Sequence, residues 1–111
     1  MRTIVAGSRS FTDFTYLQNS LAQLNITTII SGGAIGADKL GEYYAKKYSI
    51  PLEVFPAEWD KYGKSAGYLR NQQMAKHAQA LAAFWDGKSK GTQHMINIAR
   101  IAGLRVDIFL F

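Results

Sequence analysis

Short apolar runs alternate with stretches of helical periodicity along the whole chain. Five runs have the apolar character of strands, at about 2–7, 27–31, 52–56, 80–85 and 105–110. Between them, apolar residues recur at spacings of three and four, which predicts helices over Phe14–Leu24, Leu40–Tyr48, Leu69–Ala78 and Met95–Ala102. Strands that alternate with helices over short connections form a parallel sheet with helices on both faces. The pattern therefore predicts an α/β fold, a Rossmann-like three-layer arrangement, in one domain over residues 1–111.

The composition of the strands also predicts their order in the sheet. The first, second and fourth runs are almost wholly apolar, as strands buried on both faces must be. The third run, Leu52–Phe55, and the fifth, Arg105–Phe109, alternate with charged residues, as edge strands do. The order 3-2-1-4-5 satisfies both observations. It puts the switch point, where ligands bind in open α/β sheets, between strands one and four.

Glycine-rich turns follow three of these strands and are the strongest indication of function. Such a turn, where it opens a helix, aims backbone N–H groups and the positive end of the helix dipole at one point, which suits phosphate. Three turns at one edge of a sheet predict a shared pocket for a phosphorylated ligand. The predicted ligand-binding residues are Gly7, Ser8 and Arg9 after the first strand, Ser31, Gly32, Gly33, Ala34, Gly36 and Asp38 after the second, and Asp86, Gly87, Ser89, Gly91 and Thr92 after the fourth.

Other side chains are candidates for the same pocket. Arg9 has the forked guanidinium that suits phosphate or carboxylate. Arg70 and Asn71, on the third helix, either reach the pocket or form a pair on the helix surface. Trp59, in the irregular segment 56–63, either stacks a base or packs as a lid. Thr92 is also predicted to be the N-cap of the last helix.

The composition limits the classes of protein to which this chain can belong. The chain has 111 residues, 48% of them hydrophobic, enough for a real core. It has no cysteine and its two histidines are isolated in sequence, so we predict no metal site and no cofactor. No run approaches a signal-peptide core or the ~20 apolar residues of a membrane span, which predicts a cytoplasmic protein without membrane contact. The net charge of +5 favours anionic partners, a nucleotide or a nucleic acid.

Two catalytic or cofactor motifs are matched only in part. The segment 31–36 nearly reproduces the dinucleotide fingerprint, but it follows the second strand and no acidic residue ends the next one, which argues against an ordinary NAD dehydrogenase. The segment 87–91 has the Gly-x-Ser-x-Gly pattern of serine hydrolases. His94 follows it too closely, and the order of a hydrolase triad is absent.

Taken together, these segments resemble the YspA/YpsA-related branch of the SLOG superfamily, which is named for the Smf/DprA DNA-uptake proteins and the LOG cytokinin-activating enzymes. The resemblance spans nearly the whole chain. It rests on Gly7-Ser8-Arg9, Ser31-Gly32-Gly33-Ala34-x-Gly36-Ala37-Asp38, Ala57-x-Trp59-Asp60-x-Tyr62-Gly63-Lys64-x-Ala66-Gly67-x-x-Arg70-Asn71 and Phe84-Trp85-Asp86-Gly87-x-Ser89-x-Gly91-Thr92. It implies a Rossmann-like fold and a site at the strand ends for nucleotides, ADP-ribose or products of NAD. It also implies that Arg70 and Asn71 belong to that site.

The resemblance leaves three functions open, and we assign no catalytic residue. The first is a binding protein that senses or sequesters a nucleotide-derived ligand. The second is a nucleotide N-glycosidase, as in LOG-type phosphoribohydrolases. Those enzymes use a glutamate where this chain has Met95, so Asp38, Glu42 or Glu58 would have to substitute. The third is single-stranded nucleic-acid binding of the DprA kind, with Trp59 stacking bases.

The second predicted helix carries more tyrosine than one buried stripe requires. Tyr43, Tyr44 and Tyr48 lie close together in it. Core packing or contact with a second copy of the chain would each account for this, and the second explanation predicts a homo-oligomer.

Overall fold

The computed structural model describes all 111 residues of the chain. Strands and helices alternate as the periodicity predicts. The elements are β1 (Arg2–Gly7), α1 (Phe14–Ala22), β2 (Thr28–Ser31), α2 (Ala37–Lys47), β3 (Leu52–Val54), α3 (Trp59–Tyr62), α4 (Ala66–His77), β4 (Ala80–Trp85), α5 (Lys90–Ile101) and β5 (Arg105–Leu110). A single 3₁₀ turn, Gly63–Ser65, joins α3 to α4.

The sheet has five strands, all parallel, in the order β3-β2-β1-β4-β5. This confirms the predicted fold class and strand order. In the centre of the sheet, Ile4 of β1 lies between Ile30 of β2 and Leu81 of β4. The two strands that alternate with charged residues, β3 and β5, are the edges.

Two hydrophobic layers cover the two faces of the sheet, because successive side chains of a strand point to opposite sides. Ile4 and Leu81 belong to the layer under α4 and α5, whereas Val5 and Ala82 belong to the layer under α1 and α2. Between Val5 and α2 the packing is close: a Cβ on Gly41 would lie 2.7 Å from Cγ1 of Val5. This contact holds α2 close against β1.

The structure departs from the predicted elements around residues 54–66. The third strand ends at Val54, and the segment predicted to be irregular contains the short helix α3. No residue of α3 is buried. Helical periodicity arises because the apolar residues of a helix lie on its buried face. A helix without a buried face therefore shows no such periodicity in the sequence. The following helix begins at Ala66, ahead of the predicted Leu69.

Two further observations concern surfaces. Tyr44 of α2 is buried in the core, while Tyr43 of the same helix and Tyr48, its C-cap, are exposed. The homo-oligomer stays a prediction. None of the helices combines the length and the apolar character needed to cross a membrane.

Candidate functional site

A cleft of about 500 Å³ opens at the carboxyl ends of β1 and β4, bounded by α4 and by the N-terminus of α5. Its volume lies within the range of small-molecule sites, about 300–1,000 Å³. The predicted residues found in its lining are Gly7, Ser8, Arg9, Ala34, Asp38, Trp59, Arg70, Asn71, Asp86, Ser89, Gly91 and Thr92. The structure thus brings residues of all three turns, and of α4, to one place.

The other predicted residues do not line the cleft. Ser31 is fully buried, and its hydroxyl donates to Oε2 of Glu42 (2.8 Å) and accepts from the N–H of Gly33 (3.1 Å). Gly32, Gly33 and Gly36 are also outside the cleft lining, and Gly87 lies in an exposed turn. These residues shape the turns from which the lining residues project.

Gly36 and Gly32 allow backbone segments to approach closely. Gly36 has φ +85°, and a Cβ there would collide with the carbonyl of Ser8 and lie 2.7 Å from Cα of Arg9. A Cβ on Gly32 would lie 2.6 Å from Nη1 of Arg70. The turn after β2 is therefore packed against both the β1 turn and α4.

Ser8 joins the three turns. Its N–H donates to the carbonyl of Phe84 at the end of β4 (2.9 Å), and its hydroxyl accepts from the N–H of Asp86 (3.3 Å). Its carbonyl accepts from the N–H of Ala37 at the start of α2 (3.4 Å). The floor of the cleft is one hydrogen-bonded unit.

A chain of hydrogen bonds positions Arg70. Its Nη1 donates to the carbonyl of Gly32 (2.7 Å), and its Nε donates to Oδ1 of Asn71 (3.0 Å). The bond to Oδ1 fixes the orientation of the Asn71 amide. The NH₂ group of Asn71 must therefore donate to Nδ1 of His94, 3.1 Å away. His94 is then neutral, and burial lowers its pKa from the ordinary 6.5. Sequence reasoning did not find this role of His94, because its partner Asn71 is 23 residues away.

Two guanidinium groups supply positive charge to the cleft. Burial lowers the pKa of Arg70, whereas the negative charge of Asp38 raises it. The nearby positive charge of Arg9 lowers the pKa of Arg70 further. Arg9 is exposed and makes no hydrogen bond or ion pair within the protein. An anion between these two groups would relieve their mutual repulsion.

Asp38 is a buried carboxyl in the cleft. Only 5% of its surface is exposed, and its Oδ2 accepts from the N–H of Ala34 (3.2 Å). Burial raises its pKa to about 6, although the Ala34 bond and the charge of Arg70 act in the opposite direction. Near neutral pH the group exists in both protonation states, so it is able to donate or accept a proton.

The turn after β4 presents unused N–H groups. Oδ1 of Asp86 accepts from the N–H of Lys88 (2.9 Å) and of Ser89 (2.8 Å), bonds that lower the pKa of Asp86. Ser89 is the N-cap of α5, with its Oγ 3.5 Å from the N–H of Thr92 and 3.1 Å from Oγ1 of Thr92. The prediction of Thr92 as the cap is wrong, because the helix begins at Lys90. The N–H groups of Lys90 and Gly91 bond to nothing in the protein.

Several lining residues were missed by sequence reasoning. Gly67 and Met74 lie on the same face of α4 as Arg70 and Asn71, so helical spacing alone would have found them. Tyr68 is brought to the cleft by packing against His94, with ring centroids 4.4 Å apart, for which the sequence holds no signal. The remaining ones are Ala6, Ser10, Lys64 and Met95.

Two Gly-Lys-Ser triplets, at 63–65 and 87–89, call for comparison with nucleoside triphosphatases. The phosphate-binding loop of those enzymes has a glycine five residues before the triplet's glycine. Here those positions are Glu58 and Ala82. The chain therefore lacks that loop.

Of the three carboxylates proposed from the sequence to replace a glutamate at position 95, only Asp38 lines the cleft. Glu42 is engaged by Ser31 (2.8 Å) and by Lys39 (3.6 Å). Glu58 is exposed and lies outside the cleft lining. No three His, Asp or Glu side chains come close enough together to hold a metal ion.

The parallel sheet, with a polar cleft at its carboxyl edge, defines a Rossmann-like α/β protein. Residues 1–62 match the model of the YAcAr family, described as the YspA, cpYpsA-related SLOG family. The chain is also 34% identical over 119 aligned residues to the Gene 61 protein of Mycobacterium phage D29, an alignment covering 97% of this chain and 95% of the phage protein. No solved structure matches the chain. The chain belongs to the YspA, cpYpsA-related SLOG family, which confirms the resemblance.

Proposed function

We propose that this protein binds a nucleotide-derived ligand, such as a nucleoside phosphate, ADP-ribose or another NAD derivative, and that it senses or sequesters that ligand. The observation that carries the proposal is the convergence of Arg9, Arg70 and the free N–H group of Gly91 on one cleft. Two cations and the N-terminus of a helix are the groups that bind phosphate.

The phosphates are expected at the β4–α5 turn rather than at the β2–α2 turn. At the latter, the N–H of Ala37 is bonded to Ser8 and that of Ala34 to Asp38. Asp38 also carries negative charge when ionised, which repels an anion. At the former, Gly91 has nothing within 4 Å of the position of a Cβ. This narrows the sequence prediction of a phosphate pocket shared by the three turns.

Calorimetric titration with AMP, ADP-ribose and NAD tests the proposal, and Arg9→Ala is the sharpest variant. Because Arg9 makes no bond within the protein, its removal should leave the fold unchanged and weaken binding by at least about tenfold. Arg100→Ala is the matched control: it removes an exposed arginine of α5 that does not line the cleft, and affinity should not change.

Two outcomes would overturn the proposal. One is the absence of saturable binding by every nucleotide of the panel. The other is binding of a short single-stranded oligonucleotide alone, with an affinity that falls steeply with salt. A protein that neutralises DNA phosphates loses affinity as salt is added, so that result would instead favour the DprA-like function.

A second function, hydrolysis of a nucleotide N-glycosidic bond, is favoured by Asp38 alone. A buried carboxyl with a pKa near 6 in a ligand cleft has the properties of a general acid, which would protonate the departing base while water adds to the ribose. Release of free base from AMP, abolished by Asp38→Asn but unchanged by Glu58→Gln, would support it. Intact AMP after prolonged incubation with concentrated protein would rule it out for that substrate.

A further inference from the structure

Two large aromatic side chains stand half exposed at the rim of the cleft. Trp59 is 53% exposed and Tyr68 is 48% exposed, yet both line the cavity. Trp59 lies over Gly67, since Cη2 of its indole would be 3.5 Å from a Cβ there. Tyr68, the next residue of α4, is directed toward α5. A planar ring entering the cleft therefore meets aromatic surface along this stretch of α4.

The ring of Tyr68 is held in place by its contact with α5. Its ring packs against His94, whose Nδ1 is in turn bonded to Asn71. Because Asn71 also receives the bond from Arg70, the aromatic rim and the cationic group of the cleft are fixed by the same hydrogen-bonded chain. A fixed aromatic ring with a solvent-facing side provides a stacking surface.

The polar side chains of the cleft are largely engaged elsewhere. Both polar atoms of the Asn71 amide are used, Oδ1 of Asp86 closes its own turn, and the Ser89 hydroxyl caps α5. Asp38 is buried, and its Oδ2 accepts from the N–H of Ala34. Lys64 and Arg9 make no hydrogen bond within the protein, and their positive charges suit the phosphate group of a ligand. A free hydroxyl both donates and accepts, so it distinguishes no base from another.

We propose that Trp59 and Tyr68 hold the base of the ligand by stacking alone, so that the cleft requires a base but accepts any of them. This inference rests on the proposed function, nucleotide binding, and names the class within it: a nucleoside phosphate of either purine or pyrimidine type, as distinct from a sugar phosphate. Stacking on aromatic side chains tolerates different bases because every base has a π-face.

Titration of the protein with AMP, GMP, UMP and ribose 5-phosphate tests this directly. The three nucleotides should bind within about fivefold of one another, and ribose 5-phosphate, which lacks the base, about tenfold more weakly or worse. Trp59→Leu and Tyr68→Leu should each weaken AMP binding about fivefold or more, yet leave ribose 5-phosphate unaffected. Tyr62→Leu is the matched control, because this exposed tyrosine of the same segment does not line the cleft, and it should change neither affinity.

Fluorescence locates the contact, since the chain has only two tryptophans, Trp59 and Trp85. AMP should quench the emission of the wild-type protein, and Trp59→Phe should abolish the quenching while retaining the affinity. Ribose 5-phosphate that binds as tightly as AMP would overturn the stacking role but leave nucleotide binding standing. A difference beyond about a hundredfold between AMP, GMP and UMP would overturn base tolerance. Binding of none of the four probes, nor of ADP-ribose or NAD, would remove the proposed function itself.

Discussion

The turn after β2 and the turn after β4 look alike in the sequence, for each is rich in glycine and opens a helix. In the structure, two glycines of the first turn and two of the second have opposite surroundings. Gly32 and Gly36, in what we call the closed turn (residues 32–36), are so crowded that a methyl group at either would meet atoms less than 3 Å away. Gly87 and Gly91, in the open turn (residues 86–91), have nothing within 4 Å of that position.

The difference separates two uses of glycine that a motif does not distinguish. In the closed turn, glycine lets the chain approach Ser8, Arg9 and Arg70, so the turn builds the wall of the cleft. In the open turn, the space beside Gly91 is empty, and the N–H group of Gly91 has no partner in the protein. Substitutions in the first turn should therefore act mainly on stability, and those in the second mainly on ligand binding.

The largest effect is expected for Gly36→Ala in the closed turn. The new methyl group would collide with the Ser8 carbonyl, and φ +85° is unfavourable for any L-residue. Strain and overpacking together should lower the free energy of unfolding by about 3 kcal/mol or more. Urea denaturation measures this, and a loss below about 1 kcal/mol would mean that the turn is not closed in the way described.

Asp38→Asn should give the next largest effect, and it depends on pH. The pKa of Asp38 is raised from its unfolded value near 3.8 to about 6, so the native state holds a proton that the unfolded state has lost between these pH values. The stability of the wild type therefore falls as pH rises from about 4 to about 6 and then levels off. At about 1.4 kcal/mol per pH unit, the asparagine variant should gain up to about 3 kcal/mol over the wild type between pH 4 and pH 7. A stability difference that is the same at both pH values would show that the carboxylate is not buried.

In the open turn, Ser89→Ala should reduce stability by about 1 kcal/mol, because the helix α5 loses its N-cap. Thermal unfolding should detect this as a fall in Tm of several degrees. Ser10→Ala provides the comparison, since Ser10 is exposed and its hydroxyl makes no hydrogen bond. Equal Tm values for the two variants would contradict the capping role of Ser89.

The smallest effect on stability is expected for Gly91→Ala, also in the open turn. Alanine is favoured over glycine in a helix by up to about 1 kcal/mol, so the variant should be as stable as the wild type or slightly more so. Its affinity for AMP should nevertheless fall, because the methyl group is added to a residue that lines the cleft beside the expected phosphate. Unchanged AMP affinity in a folded Gly91→Ala protein would place the phosphate elsewhere in the cleft.

The fold was predictable because the spacing of apolar residues distinguishes strands from helices and buried strands from edge strands. The alternation of charge in β3 and β5 identified the edges of the sheet, and the order of all five strands followed. The short helix α3 was not predicted, because none of its faces is buried. In the cleft, residues next to a strand end were found from the turn pattern, whereas Tyr68 and His94 depend on how α4 packs on α5. The sequence also gives no means of distinguishing Gly36 from Gly91, since crowding is a property of distant residues.

The bonds of Ser8 have a consequence for the thermodynamics of binding. Because one buried residue links the ends of β1 and β4 to the start of α2, these turns lose their conformational entropy when the chain folds rather than when a ligand arrives. Binding then involves little reorganisation, so its entropy change should arise mainly from water and from the ligand itself. The N–H groups of Ser8, Ala37 and Asp86 should accordingly exchange slowly with deuterium before any ligand is added, as part of the cooperative core.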